Sequence, residues 1–422
     1  MSMRALGWIA VRRWCVATVF LSGCAARAPE APVPDAAGRP VLVLVSLDGF
    51  RWDYLDRGLT PNLSRLAREG GRAEAMVPVF PTKTFPNHYT IVTGRYPAKH
   101  GIVGNVFTAP DLGARLTLWD TAAVRDARFY LAEPLWVTAE RQGLRTAPMF
   151  WPGSDAPIKG VRPTYSIPFD GAMPDSVRVR HLRNWLDQPE DRRPSFLTLY
   201  SSAVDNAGHE YGPDAPETNR AIAQVDSLVG LLAAELARVT GGRANLVIVS
   251  DHGMVSTGPD RVIWLDDYVA QDAMQIDEMS TLLTAWAAAG LEDSVVRALR
   301  RAPHLTVYRR AELPGRFRLQ GTPRVAPVVA IADPGWTISQ RTPEEPSPGI
   351  ILGNHGYDDS LAVMRAIFIA HGPAFRRGVV VPPFRNIHVY PLLAEVLGLT
   401  PAPTDGSLDS VRALLAESGG AQ

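Results

Sequence analysis

Asp48, Asp205, Asp251, His209, His252 and His355 are the side chains of this chain best suited to hold a metal ion, because each lies beside an apolar run or in a glycine-containing loop. They fall in short motifs: Ser46-Leu-Asp-Gly49, Asp205-Asn-Ala-Gly-His209, Ser250-Asp-His-Gly-Met254 and Gly353-Asn-His-Gly356. Singly, each is weak. A strand-end aspartate is commonly a helix cap or turn residue, and a histidine beside glycine is commonly a plain loop residue. Together, nitrogen and oxygen donors without thiolate suit zinc at a hydrolytic site. Six donors exceed what one catalytic zinc uses, since it keeps three and an open position. Two zincs sharing the set can clamp the attacking and leaving sides of a displacement at phosphorus. Such a site needs a nucleophile, and Thr84 lies in a segment bounded by Pro81 and Pro86. A threonine hydroxyl is weak at neutral pH, but metal coordination activates it without a neighbouring base. The plainer reading makes Thr84 the N-cap of a helix over Asn87 to Val92. A helix N-terminus there also favours an anion such as phosphate.

The elements that must bring these residues together are legible as runs. Val41-Leu-Val-Leu-Val45, Phe196-Leu-Thr-Leu-Tyr200, Leu246-Val-Ile-Val249 and Ala366-Ile-Phe-Ile-Ala370 are short, apolar and without alternation. That pattern predicts strands buried on both faces of a mostly parallel sheet. Helical stretches at Pro61 to Glu69 and Thr218 to Val239 lie between them, so the fold class expected is α/β, a doubly wound mostly parallel sheet with helices on both faces. Sites in open sheets of this kind gather beyond the carboxyl ends of the strands, where the aspartates stand. Residues 260–345 look different: rich in Arg, Pro and Ala, with no convincing buried strand run, they read as an inserted smaller subdomain. Asn386 to Leu399 reads as a C-terminal amphipathic helix.

At this point the motifs carry a resemblance. Ser46-Leu-Asp-Gly-Phe-Arg-Trp-Asp-Tyr54, Phe80-Pro-Thr-Lys-Thr-Phe-Pro-Asn-His-Tyr89, Tyr96 to Asn105, Phe150-Trp-Pro-Gly-Ser154, His209-Glu-Tyr-Gly-Pro213 and Ser250-Asp-His-Gly-Met254 resemble the nucleotide pyrophosphatase/phosphodiesterase family of the alkaline phosphatase superfamily. The likeness runs from about Val41 to Leu399. It implies an alkaline phosphatase-like fold and two zinc ions, one on Asp205, His209 and His355, the other on Asp48, Thr84, Asp251 and His252. It implies that Thr84 attacks phosphorus to give a covalent nucleotidyl-threonine, which water then releases as a nucleoside monophosphate. Asn105 and the Thr84 backbone N–H would bind a non-bridging phosphate oxygen. Phe85 and Tyr200 match aromatic positions that hold the base, with Trp151 and Asp155 nearby and Phe169 as a second aromatic. Simple core packing is the alternative for each aromatic. Lys83 would assist the substrate phosphates or point to solvent, and His88, His100 and His371 read as structural.

Charge and the N-terminus bound the setting. Lys+Arg and Asp+Glu both number 43, so the formal charge is zero, and no basic footprint for nucleic acid is present. Arg4, Arg12 and Arg13 precede the apolar run Trp14 to Leu21, which is too short to span a bilayer and reads as an export signal over 1–23. Leu21-Ser-Gly-Cys24 resembles a bacterial lipobox, making Cys24 a lipid-carrying N-terminus. Cys15 and Cys24 are the only cysteines, so the mature domain would hold no disulfide. Residues 24–39 read as an Ala/Pro-rich tether, 40–405 as the catalytic domain and 406–422 as a tail. The expected protein is an exported monomer at the periplasmic face, in the outer membrane if the cell is Gram-negative, touching membrane only through its lipid. Rival readings are a phosphomonoesterase or phosphonate hydrolase, a lipid or choline phosphodiesterase, and a non-catalytic nucleotide-binding lipoprotein.

Overall fold

The computed structural model describes residues 40–341 and 351–417. The signal, the tether, Cys24 and the last five residues of the tail lie outside the described residues, as do 342–350. No helix among the described residues is long and apolar enough to cross a membrane.

Thirteen strands and seven helices carry the argument. The strands are β1 (Val41–Leu47), β2 (Gly71–Ala73), β3 (Val106–Ala109), β4 (Ala114–Thr117), β5 (Thr146–Ala147), β6 (Phe196–Ser201) and β7 (Ala244–Val249). They continue as β8 (Met274–Met279), β9 (Leu282–Ala287), β10 (Leu305–Arg309), β11 (Val328–Ala332), β12 (Phe368–His371) and β13 (Val379–Val381). The helices are α1 (Pro61–Glu69), α2 (Thr84–Thr93), α3 (Asp175–Leu186), α4 (Ala203–Tyr211), α5 (Pro216–Thr240), α6 (Glu292–Leu299) and α7 (Val389–Val396).

The central sheet has seven strands in the order β13-β2-β12-β7-β1-β6-β5. β7, β1, β6 and β5 pair in parallel, whereas β12 runs antiparallel to β7 and β2. The apolar runs lack alternation because both faces are covered. Leu42, Leu44 and Val247 join a core with Tyr89 and Val92 of α2 and Leu392 of α7. Val43, Val45 and Ile248 join a second core with Leu63 of α1, Leu182 of α3 and Val225 of α5. Truncating any of these to alanine would leave a cavity and cost about 2–5 kcal/mol. Helices on both faces of a mainly parallel sheet are the expected fold class. The reversal of β12 was not legible in its run Ala366 to Ala370. It sends His371 to the sheet end away from the aspartates, opposite Leu246.

The C-terminal helix is shorter than the sequence suggests. A 3-10 turn at Asn386–His388 leads into α7, and Leu397 closes it. Residues 274–332 form a separate four-stranded antiparallel sheet, β8-β9-β11-β10. Val262–Trp264 and Thr337–Ser339 pair at its base, and α6 packs its Val295, Val296 and Leu299 beneath. Here the sequence reading is corrected: β11, Val-Val-Ala-Ile-Ala, is buried at every residue. Pro327 immediately before it, and Arg324 three residues further back, disguise the run.

Candidate active site

β7, β1 and β6 are parallel neighbours, so their carboxyl ends lie side by side. Asp48 follows β1, Asp251 and His252 follow β7, and Ser202 turns from β6 into α4, which presents Asp205 and His209 one turn apart. Residues four apart share a helix face, and His209 Nε2 lies 3.5 Å from Asp205 Oδ2. Gly49 makes the approach possible. It adopts φ +67°, and a β-carbon there would sit 2.9 Å from Asp205 Cα.

Two groups of potential ligands form, Asp48–Asp251–His252 and Asp205–His252–His355, with donor atoms within 4.8 Å of one another in each. His252 Nε2 is 3.0 Å from Asp251 Oδ2 and 3.5 Å from Asp48 Oδ1, and His355 Nε2 is 3.8 Å from Asp205 Oδ1. The rings of His252 and His355 stack at 3.5 Å.

Hydrogen bonds separate these imidazoles from the others. His209 Nδ1 faces the Gly353 carbonyl at 2.8 Å, His252 Nδ1 the Gly253 carbonyl at 3.0 Å and His355 Nδ1 the Thr82 carbonyl at 2.9 Å. A carbonyl only accepts, so each Nδ1 carries the proton and each Nε2 turns a lone pair toward carboxylates. A backbone partner on the outer nitrogen is the usual orienting device of a metal-ligating histidine. Asp48 Oδ1, Asp205 Oδ1, Asp251 Oδ2 and His252 Nε2 are all buried with no hydrogen-bond partner. Lone pairs converging from both ring nitrogens and carboxylates need a cation between them, so the residues fit metal ions. Electrostatics agree. Burial raises the Asp48 carboxyl well above its usual range, and the neighbouring Asp251 and Asp205 carboxylates add to it. Burial drives the His355 imidazole well below its usual value, helped by His252, Lys83 and His209. By contrast, His88 uses both nitrogens, Nδ1 on the Thr84 carbonyl and Nε2 on the Ser46 hydroxyl, each at 2.8 Å. His100 is likewise engaged, with Thr90 and with the Ile102 N–H.

Thr84 opens α2, and Lys83, not Thr84, occupies the N-cap position, without a side-chain cap. The N-cap alternative for Thr84 is therefore corrected: its own backbone is already helical. Between Pro78 and Gly94 only Thr84 and Phe85 escape full burial. The Phe85 N–H donates to Asn105 Oδ1 at 2.9 Å. The missing cap is thus supplied from the loop before β3, and the Asn105 NH2 is left to meet an anion at the helix N-terminus.

The aromatic candidates divide. Tyr200 donates its hydroxyl to Asp48 Oδ2 at 2.6 Å, and its ring lies 6.5 Å from that of Phe169. Phe169 is 60% exposed, and its N–H reaches Asp155 Oδ2 at 3.4 Å. Trp151 is buried in the core with its indole N–H on the His88 carbonyl. Lys83 is buried too, paired with Glu278 at 3.2 Å and with Ser280 at 2.9 Å. It does not point to solvent. Sequence reasoning missed Glu278 and Ser280, and it undervalued His88, whose Nδ1 also comes within 3.4 Å of Asp251.

With this geometry in hand, comparison with known proteins is specific. The family described as type I phosphodiesterase / nucleotide pyrophosphatase matches residues 42–358. The chain is 37% identical over 382 residues to an uncharacterized pyrophosphatase/phosphodiesterase of Schizosaccharomyces pombe, covering 87% of this chain and 79% of that one. It is 35% identical over 395 residues to the Bis(5'-adenosyl)-triphosphatase enpp4 of Xenopus laevis, covering 91% and 83%. Among solved structures, murine ectonucleotide pyrophosphatase/phosphodiesterase 5, an inactive variant with threonine replaced by alanine in complex with AMP, superposes with a TM-score of 0.85 at 37% identity, covering 90% of this chain and all of that one.

Proposed function

The chain belongs to the type I phosphodiesterase / nucleotide pyrophosphatase family, and from that premise we propose that it hydrolyses phosphodiester or pyrophosphate bonds of nucleotides through a covalent nucleotidyl-threonine on Thr84, releasing a nucleoside 5'-monophosphate. The observation that carries the reading is the trio of imidazoles with Nδ1 on backbone carbonyls and Nε2 facing carboxylates, those of His252 and His355 meeting buried, unpartnered oxygens, beside a helix whose first residues, Thr84 and Phe85, are the accessible ones. Asp205, His209 and His355 would hold one zinc, and Asp48, Thr84, Asp251 and His252 the other. Bound zinc would supply Lewis-acid stabilisation of the threonine alkoxide and of phosphate charge.

The chain's own residues do the rest. Tyr200 holds Asp48 through its hydroxyl, and His88 holds the Thr84 carbonyl, so that the attacking residue and its neighbour ligand are fixed before substrate arrives. The Thr84 N–H, free of an intrahelical partner in the first turn, and the Asn105 NH2 bind a non-bridging oxygen as charge builds on it. The Thr84 oxygen forms its bond to phosphorus as the bond to the leaving group breaks, its hydroxyl proton passing to the leaving group or solvent. A water oxygen then bonds to phosphorus as the Thr84–phosphorus bond breaks, freeing the nucleoside 5'-monophosphate and returning a proton to the threonine. The exposed Phe169 and the partly buried Phe85 are where the base would rest, with Tyr200 and Asp155 behind and Trp151 supporting from the core. The AMP held by the murine relative and the dinucleotide named for the frog relative favour a nucleotide as substrate. A phosphomonoesterase would need an arginine clamp. Arg51, within the first motif, is already committed to Asp53 at 2.6 and 3.1 Å and to the Met254 carbonyl. Export, with a lipid on Cys24 tethering a monomer to the periplasmic face, belongs to the same proposal and rests on the N-terminal sequence.

The test pairs two substrates. A nitrophenyl nucleotide diester should be turned over in preference to nitrophenyl phosphate, and Thr84→Ala should keep its metal and fold while losing about 1,000-fold or more in kcat. Preference for the monoester, or an active Thr84→Ala, would sink the reading.

A further inference from the structure

The small antiparallel sheet reaches into the active site at one irregular point. β8 reads Met-Gln-Ile-Asp-Glu-Met, and its pairing with β9 slips between Ile276 and Glu278. In a regular strand, successive side chains point to opposite faces. At a bulge, two successive side chains are turned together and the strand is re-aimed. Asp277 and Glu278 are accordingly both buried, an expensive placement for adjacent carboxylates unless each finds partners.

The partners lie in the catalytic body. Asp277 accepts from the Thr108 N–H at 2.9 Å and from its hydroxyl at 2.7 Å, on the strand that follows Asn105 directly. Glu278 pairs with Lys83, the residue before Thr84, at 3.2 Å, and Ser280 accepts from the same ammonium at 2.9 Å. Thr281 donates its hydroxyl to the carbonyl of His355 at 2.6 Å. Lys83 crosses so close over Gly356, at φ +107°, that a β-carbon there would fall 2.4 Å from Lys83 Cε.

We propose that the bulged end of β8 and its turn into β9, through Glu278 and Ser280, are a positioning clamp that holds Lys83 and so sets the orientation of Thr84 for attack. The inference rests on the reading of Thr84 as nucleophile and adds to it a role for the small sheet. Lys83 is thereby a positioning residue whose ammonium is spent on the clamp. Asp277 and Thr281 brace the same turn against the Asn105 strand and the His355 loop. A displacement of about 1 Å at a nucleophile can cost 100-fold in rate, so a clamp at its neighbour has leverage without touching substrate.

Two variants test this. Lys83→Met with Glu278→Met replaces the buried pair by apolar chains of similar length, an exchange that commonly leaves stability intact. Ser280→Ala removes one hydroxyl from a partly exposed turn. Each is compared with the parent for melting temperature, zinc content, and kcat and KM on the nitrophenyl nucleotide diester. The clamp predicts that the double variant melts near the parent and keeps its zinc while kcat falls about 10- to 100-fold, with KM within about threefold. Ser280→Ala should lower kcat severalfold at unchanged melting. Parental kcat in a folded double variant would overturn the clamp, and so would parental kcat in Ser280→Ala if the double variant does not fold. The parent and Thr84→Ala separate this result from the underlying reading. An inactive parent removes the nucleophile assignment itself, whereas an active parent with fully active clamp variants removes the clamp alone.

Discussion

At the scale of residues, catalysis here depends on which atom of each side chain is left over. Asn105 spends its carbonyl oxygen on the Phe85 N–H, and only its NH2 remains for phosphate. Asn105→Ala should therefore lower kcat on the diester by about 100- to 1,000-fold, the cost of losing one donor to a developing anion, with zinc content unchanged. A loss confined to KM would assign it to ground-state binding instead. The histidines follow the same logic. Those with Nδ1 on a carbonyl and Nε2 against carboxylate make up the proposed ligand set, and those with both nitrogens engaged stand outside it. His100 is of the second kind, and burial lowers its pKa to about 3. Between pH 6.5 and about 3 the unfolded chain binds a proton at this imidazole that the folded chain refuses, so its neutral form costs stability as pH falls. The destabilisation caused by His100→Gln should accordingly shrink by about 2 kcal/mol between pH 7 and pH 5, read from urea midpoints at the two pH values. A constant difference would mean the folded ring binds a proton as readily as the unfolded one.

At the scale of elements, the sequence was most legible where one physical rule acted alone. Strands covered on both faces are mostly apolar without alternation, so β1, β6 and β7, and the aspartates that follow β1 and β7, could be read directly. Pro61 at the head of α1 and Gly94 after α2 mark helix ends in the usual way. What escaped reading was set by partners distant in sequence. Nothing local in Ala366 to Ala370 tells which way β12 runs, because direction depends on its neighbours. Nothing local in Phe80 to Tyr89 reveals that Lys83 is neutralised by a glutamate in another sheet. Two adjacent acids inside an apolar stretch, Asp277 and Glu278, were the one available hint. A bulge hid it by breaking the alternation that would have marked β8 as a strand. Thr84 shows a middle case: its place at a helix start was legible, but its position inside the helix rather than at the cap was set by Asn105.

At the scale of the whole molecule, the site is a seam joining separate parts of the fold, and metal should act as its fastener. Asp48, Asp251 and His252 come from the central sheet, Asp205 and His209 from α4, and His355 from the loop braced by the small sheet. Burial first, then the neighbouring carboxylates, raises Asp48, and burial first, then the neighbouring imidazoles and Lys83, lowers His355, so a cation between them would relieve both. Chelation should abolish activity and lower the melting temperature. Each tenfold rise in free zinc above its dissociation constant should add about 1.4 kcal/mol of stability per ion, measured by calorimetry across a zinc series. Melting that ignores zinc while zinc is shown to leave would contradict this. The spread of the proposed ligands along the chain, from Asp48 near the first described residue to His355 after the small sheet, also bears on biosynthesis. A ribosome must have delivered the chain through His355, beyond all four strands of the small sheet, before the set is complete. A chain that stops before His355, or is clipped and loses the segment after the small sheet, keeps its aspartates but not the full proposed set, so bound metal would report that synthesis had passed this point.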